Sequence, residues 1–264
     1  MIGIFDSGVG GLTVVKQVIS ALPQYKIVYF GDTARVPYGN KSPEIIKKYS
    51  QQDLEFLLKK GAQLIIIACH TASAIAADFL REKYPAVPIF DVVRPGLDQA
   101  NQVTRNYRIG IIGTENTVKS GAHKRYLKEI NPQVQVFYQA CPLLVPLAEE
   151  GWIKRQETRR IVRYYLKSLK KNKIDTLVLA CTHYPLLAKV IAEVAGRSIK
   201  VVDPAQEVAI QIKEYLQENP IVAGKLTKSG QRHEFFASDV SDKFKDISHK
   251  VLGDKVNVRS VDII

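Results

Sequence analysis

Two kinds of apolar pattern alternate along the chain. Short apolar runs that stop at small or polar residues cover 2–5, 26–30, 63–68, 108–112, 134–138, 176–180 and 198–202. Most are separated by stretches whose apolar positions repeat at helical spacing: 11–22, 44–60, 71–83, 120–130, 157–171 and 184–194. Strands alternating with helices at this pitch predict an α/β protein with a parallel sheet and helices on both faces. Continuous runs such as Leu64-Ile65-Ile66-Ile67 suit strands buried on both sides.

The order of these elements repeats. Ile2-Gly3-Ile4 is echoed by Ile109-Gly110-Ile111, and Val28-Tyr29-Phe30 by Val136-Phe137-Tyr138. Leu64-Ile65-Ile66-Ile67-Ala68-Cys69 is echoed by Thr176-Leu177-Val178-Leu179-Ala180-Cys181. The three offsets are similar, roughly 107 to 112 residues, as an internal duplication requires. The fold expected is two similar parallel-sheet α/β lobes related by a pseudo-twofold, with the active site in the cleft between them. From about Ala205 onward there is no third copy, and 224–230 reads as a loop.

Composition narrows the class. The 264 residues are 46% hydrophobic and 24% charged, with 16 Gly and 12 Pro, which excludes a collagenous or mostly disordered polymer. No apolar run reaches the roughly 18–20 residues a bilayer crossing needs, so no membrane association is expected. Met1-Ile2-Gly3-Ile4-Phe5 leads to Asp6 without a basic region or cleavage site, so export is not expected. Cys69, Cys141 and Cys181 are odd in number and far apart, which suits a reducing cytoplasm better than a disulfide framework.

Lys plus Arg number 38 against 26 acidic residues, a formal charge of +12. That balance favours anionic partners but does not choose among nucleic acid, membrane surface and acidic metabolites. Much of it falls on one helix: Arg159, Arg160, Arg163, Lys167, Lys170 and Lys171 flank an apolar stripe of Ile161, Val162, Tyr165, Leu166 and Leu169. A basic run of this kind is most often a solvated face.

The chemistry concentrates where the strands end, the place at which open α/β sheets collect ligands. The first strand runs into Asp6-Ser7-Gly8, the third into Cys69-His70-Thr71, and the echo of the third into Cys181-Thr182-His183. A lone free cysteine is usually a small buried hydrophobe, and that reading stands for Cys141. Cys69 and Cys181, at matching strand ends of facing lobes, would instead aim two thiols at one cleft. One thiol removes a proton from carbon as thiolate, and the other returns a proton on the opposite face. An ordinary Cys, with a pKa of about 8.5, needs help to ionise at neutral pH. A strand-to-helix junction at each Cys supplies a helix N-terminus, and His183 is a proton partner for Cys181. Asp6 can assist on the other side, although a strand-end Asp or Ser also serves as a helix N-cap.

At these residues the chain resembles the cofactor-independent aspartate/glutamate racemase family. Four motifs carry the likeness: Ile4-Phe5-Asp6-Ser7-Gly8-Val9-Gly10-Gly11-Leu12-Thr13, Tyr29-Phe30-Gly31-Asp32-Thr33-Ala34-Arg35-Val36-Pro37-Tyr38-Gly39, Cys141-Pro142-Leu143 with Pro146-Leu147-Ala148-Glu149-Glu150-Gly151, and Cys181-Thr182-His183-Tyr184-Pro185-Leu186-Leu187. The resemblance covers about residues 1–205. It implies interconversion of L- and D-glutamate without a cofactor or metal, supplying D-glutamate for peptidoglycan, and a homodimer. Carried over position by position, Cys69 and Cys181 match the acid/base thiols, and Asp6 and His183 their assistants. Ser7, Tyr38, Gly39, Thr71, Thr114, Thr117 and Thr182 match substrate-binding positions, and Glu149 a residue near the site. The resemblance also implies two lobes, 1–97 plus 207–264 and 98–206, the first completed by the C-terminal segment.

His70 departs from the family's Asn after the first Cys. Imidazole has a longer reach and a fixed choice of tautomer, which bears on how a substrate is oriented and on which substrate is preferred. Asp203-Pro204-Ala205, where a Ser is usual in the middle, is a smaller departure. Racemisation of aspartate or a related amino acid is therefore an alternative. A second, from the basic surface and from gyrase binding implied for some family members, is a DNA- or gyrase-contacting role. Zinc is disfavoured, because the adjacent Cys69 and His70 point in different directions and no Cys-x-x-Cys exists. Gly8-Val9-Gly10-Gly11 lacks the remaining positions of either nucleotide-binding glycine motif, and no Gly-x-Ser-x-Gly appears.

Overall fold

Each of the seven apolar runs becomes a strand in the computed structural model, which describes residues 1–228, 232–253 and 256–263. In chain order the strands are β1 (Ile2–Asp6), β2 (Ile27–Gly31), β3 (Leu64–Ile67), β4 (Ile89–Asp91), β5 (Arg108–Gly113), β6 (Gln135–Ala140), β7 (Thr176–Ala180), β8 (Lys200–Val202), β9 (Glu234–Ala237) and β10 (Val258–Ser260). Among the described residues they form two all-parallel sheets, ordered β10-β9-β2-β1-β3-β4 and β6-β5-β7-β8. Residues on β1, β2, β3 and β7 are buried throughout, which is why these runs are continuously apolar.

The echo in the sequence is an echo in topology. The order β2-β1-β3-β4 reappears as β6-β5-β7-β8. The matched glycines have matched reasons. A Cβ on Gly3 would lie 2.8 Å from Ala62 Cβ, and one on Gly110 would lie 2.5 Å from Ile174 Cδ1. In both halves the central strand is bare at that point so that the residue between a helix and the neighbouring strand, β3 or β7, can pack on it closely. The tail completes the first sheet: β9 pairs with β2 in parallel, and β10 with β9.

Helices cover both faces. The helix Pro43–Lys59 starts where the pattern places it, with the Ser42 side chain accepting from the Ile45 amide, Pro43 in the first turn and Lys59 in the last. Two helices, Val93–Val103 and Pro204–Glu218, run between the sheets and pack on each other. A Cβ on Gly96 would meet Pro204 Cγ at 2.6 Å.

The structure corrects several expectations. The stretch 184–194 begins as a 3-10 turn, Tyr184–Leu187, and becomes α-helical only at Ala188–Ala195. Gly224 is not in a loop but in the helix Pro220–Lys225, while Ser229 and Gly230 lie outside the described residues. Strands β4, β9 and β10 and the helices Val93–Val103, Glu115–Lys119, Leu144–Glu149, Pro204–Glu218, Pro220–Lys225 and Asp242–Leu252 were not among the predicted elements.

Candidate active site

The carboxyl ends of β1, β3, β5 and β7 converge on a cavity of about 500 Å³, lined from both sheets. Cys69 follows β3 and Cys181 follows β7, as their matched places in the repeat require. Both line this cavity, both are free thiols, and both are more than nine-tenths buried.

Their surroundings differ. Cys69 occupies the N-cap position of the helix His70–Lys83, with Sγ 3.4 Å from Ser7 Oγ. Burial, and next the charge of Asp6, push its pKa up to about 12, against hydrogen bonds with the Ser7 hydroxyl and from the Ala72 and Ser7 amides. Cys69 is therefore a thiol at neutral pH. The helix-terminus argument fails for Cys181, which is followed only by the 3-10 turn from Tyr184. Its neighbour is a side chain instead. His183 Nδ1 lies 3.9 Å from Cys181 Sγ, and Nε2 lies 3.1 Å from Glu149 Oε1. Burial alone would lower the His183 pKa. The hydrogen bonds to Cys181 and Glu149, with the charges of Cys181 and Asp6, hold it instead at about 10. His183 is thus an imidazolium at neutral pH, with one N–H toward the sulfur and the other toward the carboxylate. Glu149 is held low chiefly by that hydrogen bond, and its Oε2 lies 3.6 Å from Lys243 Nζ on the C-terminal helix Asp242–Leu252.

Asp6 sits behind the cavity wall rather than on it. It is fully buried, with Oδ2 accepting from the Gly8 amide at 2.9 Å and Oδ1 from the Thr182 hydroxyl at 3.3 Å. Burial raises its pKa, opposed by the charge of His183. The carboxylate therefore acts electrostatically on both Cys69 and His183. Packing around it explains Gly10-Gly11. A Cβ on Gly11 would lie 2.3 Å from Asp6 Cβ, and one on Gly10 would lie 2.4 Å from Thr182 Oγ1 and 2.7 Å from His183 Nδ1. These glycines let the first loop close on the second sheet, which is a use for them other than cradling phosphate.

Ser7, Tyr38, Gly39, His70, Thr71, Thr114, Glu149, Thr182 and His183 all line the cavity. The Thr71, Thr114 and Thr117 hydroxyls form a triangle with sides of 3.0, 3.1 and 2.9 Å, joining the two halves; Thr117 lies behind the wall, fully buried. The Tyr38 hydroxyl turns away from the cavity. It donates toward the buried Asp32 and Asp53, which also grip Arg35, so Tyr38 offers the site its ring and main chain. His70 is buried and stacked on His123, with ring centroids 6.4 Å apart. His70 Nδ1 and both His123 ring nitrogens have no hydrogen-bond partner. Burial, with His123 beside it, drives the His70 pKa well below its ordinary value, so His70 is neutral.

Gly8, Val36, Pro37, Asn40, Glu115, Pro142, Val145, Pro146 and Ala180 also line the cavity and were not singled out. Most adjoin an assigned residue within one of the motifs, and that adjacency was the available signal. Lys243 and His123 gave none, since only folding brings them near the strand ends. Among the described residues, no three His, Cys, Asp or Glu side chains are grouped to hold a metal ion, and no helix is long and apolar enough to cross a membrane.

Known proteins share this arrangement of the whole chain. The profile of the Asp/Glu/Hydantoin racemase family matches residues 6–212. The glutamate racemase of Geobacter metallireducens is 47% identical over 255 residues, 97% of this chain and 93% of that protein. A glutamate racemase isoform of Bacillus anthracis superposes with a TM-score of 0.92 at 35% identity, covering 99% of this chain and 97% of that one. The Francisella tularensis glutamate racemase, solved in complex with D-glutamate, gives 0.91 at 34% identity with the same coverage. On the strength of the profile match and of relatives that span nearly its full length, this chain belongs to the Asp/Glu/hydantoin racemase family.

Proposed function

We propose that the protein interconverts L- and D-glutamate by moving the Cα proton between Cys69 and Cys181, with no cofactor. The observation that carries this reading is the pair of free cysteines from equivalent strand ends lining one cavity. Cys69, a thiol at neutral pH, is poised to give a proton. As Cys69 gives its proton to one face of Cα, Cys181 takes the Cα proton from the other face as the thiolate, with the His183 imidazolium beside its sulfur, and the reverse direction exchanges the two roles. Glu149 fixes that ring and compensates its charge. The buried Asp6 carboxylate favours a cation nearby, which suits the α-ammonium of an amino acid. Ser7, Gly39, His70, Thr71, Thr114 and Thr182 supply polar groups to orient it; Thr117 supports Thr71 and Thr114 from behind, and Tyr38 shapes the wall.

Glutamate is preferred to aspartate in this reading because the relatives that match nearly the full chain carry the name glutamate racemase. Supply of D-glutamate for peptidoglycan, a cytoplasmic location and a homodimer follow from the family resemblance and belong to the same proposal. So does the division into lobes 1–97 plus 207–264 and 98–206. It is supported by the membership of the two sheets, with the helices Val93–Val103 and Pro204–Glu218 as connectors through the boundaries. The experiment is a chiral assay of dialysed, chelator-treated protein on both enantiomers of glutamate and of aspartate. Full two-way turnover of glutamate is expected. Faster turnover of aspartate, or activity only after pyridoxal phosphate or zinc is added, would contradict the proposal.

A further inference from the structure

The 3-10 turn Tyr38–Asn40, which follows β2, makes one wall of the cavity, with Tyr38, Gly39 and Asn40 all lining it. A side chain from the other half is hydrogen-bonded to both of its ends. Asn116 lies on the helix Glu115–Lys119, which follows β5, and its Nδ2 donates to the Tyr38 carbonyl at 3.1 Å and the Lys41 carbonyl at 2.6 Å. One amino group thus brackets the turn at both ends. The fit beneath is close, since a Cβ on Gly39 would lie 3.0 Å from Thr114 Cβ. Asn116 is half-buried and is not itself on the cavity wall.

We propose that Asn116 is a positioning residue for substrate binding, an amide clamp by which the second half sets the place of the Tyr38–Asn40 wall against the substrate. The inference rests on the glutamate racemisation proposed above. Its chemistry makes a definite ordering of variants. Asn116→Ala removes both donors and leaves the two carbonyls to water. Asn116→Asp keeps nearly the same shape but faces two carbonyl oxygens with an acceptor, so attraction becomes repulsion. A side chain that served only to fill space would give the opposite order, because Asp is the closer fit.

The test combines steady-state kinetics on glutamate with hydrogen exchange of the segment around Tyr38–Lys41 in the substrate-free protein, for wild type and both variants. For Asn116→Ala we expect KM to rise about tenfold, the scale of losing two modest hydrogen bonds. For Asn116→Asp the rise should be larger. In both, kcat should stay within about threefold, since neither thiol is touched. Exchange in the segment should quicken in the same order. An unchanged KM with unchanged exchange, or an Asp variant closer to wild type than the Ala variant, would overturn the clamp. Should the Asp variant not fold, the Ala variant carries the test through its own KM and exchange. Wild-type protein that leaves glutamate untouched, with exchange still responding in the stated order, would contradict the proposed reaction and support the clamp.

Discussion

His183 holds its proton because it stands between a sulfur and a carboxylate, and this is the feature of the site with the clearest consequence in solution. With the His183 pKa at about 10, the folded value exceeds the ordinary one of about 6.5. Its contribution to stability is therefore fully present below about pH 6.5 and is lost as pH rises through about 10. Replacing Glu149 with Gln removes one of the interactions that raise this value. The basic limb of kcat/KM should then move toward lower pH, and the loss of stability with rising pH should begin earlier. A pH–rate profile and thermal unfolding across the same range check both. His70 offers a second prediction. It stands where the family pattern has Asn, is neutral, and has a buried Nδ1 without a partner, so His70→Asn should leave glutamate turnover unchanged or raise it. A collapse in kcat/KM would assign His70 a role of its own. At this scale the sequence was informative because the motifs are contiguous: Asp6-Ser7, Cys69-His70-Thr71 and Cys181-Thr182-His183 each deliver neighbouring side chains to one strand end. Asn116, His123 and Lys243 could not be read from the sequence, since their relevance arises only from tertiary contacts with distant segments.

The elements show which patterns translate into structure. Fully buried strands and helices such as Pro43–Lys59 and Gln156–Lys171 announce themselves, because burial on one face or on both sets the residue types directly, whereas the fifteen-residue helix Pro204–Glu218 does not. Strands β4 and β10 have three residues each and β9 four, and none of them is read from its own pattern. Their pairing is dictated by the strands already in the sheet rather than by their own propensity. The loop after β1 is a different case. Gly8-Val9-Gly10-Gly11 is recognisable as a glycine-rich segment, but its purpose is visible only in the contact of Gly10 with Thr182 and His183. Gly10→Ala would drive a methyl group into Thr182 Oγ1 and the His183 ring. We expect a loss of about 1–3 kcal/mol in stability, typical of overpacking. A fall in kcat should accompany it as the ring is displaced from Cys181. Unfolding and steady-state kinetics on the same preparation check this, and an unperturbed variant would show that the loop has room the structure does not display.

Over the whole molecule, the repeat explains why two chemically similar groups face one cavity. A duplicated strand order places β3 and β7 in equivalent positions, and a cysteine after each becomes one of a facing pair. The duplication is not symmetrical in chemistry. The tail adds β9 and β10 to the first sheet only, and brings Lys243 to Glu149 and Glu150 across the cleft. One thiol has a hydroxyl and a helix terminus, the other an imidazolium and a carboxylate. The overall charge of +12, by contrast, informs little about function. The central claim is that both thiols act on one Cα, and it is tested most directly by deuterium incorporation at Cα in D2O. Wild type, Cys69→Ser and Cys181→Ser should each be started from L-glutamate and from D-glutamate. Wild type should carry solvent deuterium into the opposite enantiomer in both directions, and each variant should lose two-way racemisation by about 10²–10⁴-fold, the scale of removing an acid/base group. Racemisation at near-wild-type rates in both directions by either variant would contradict the account.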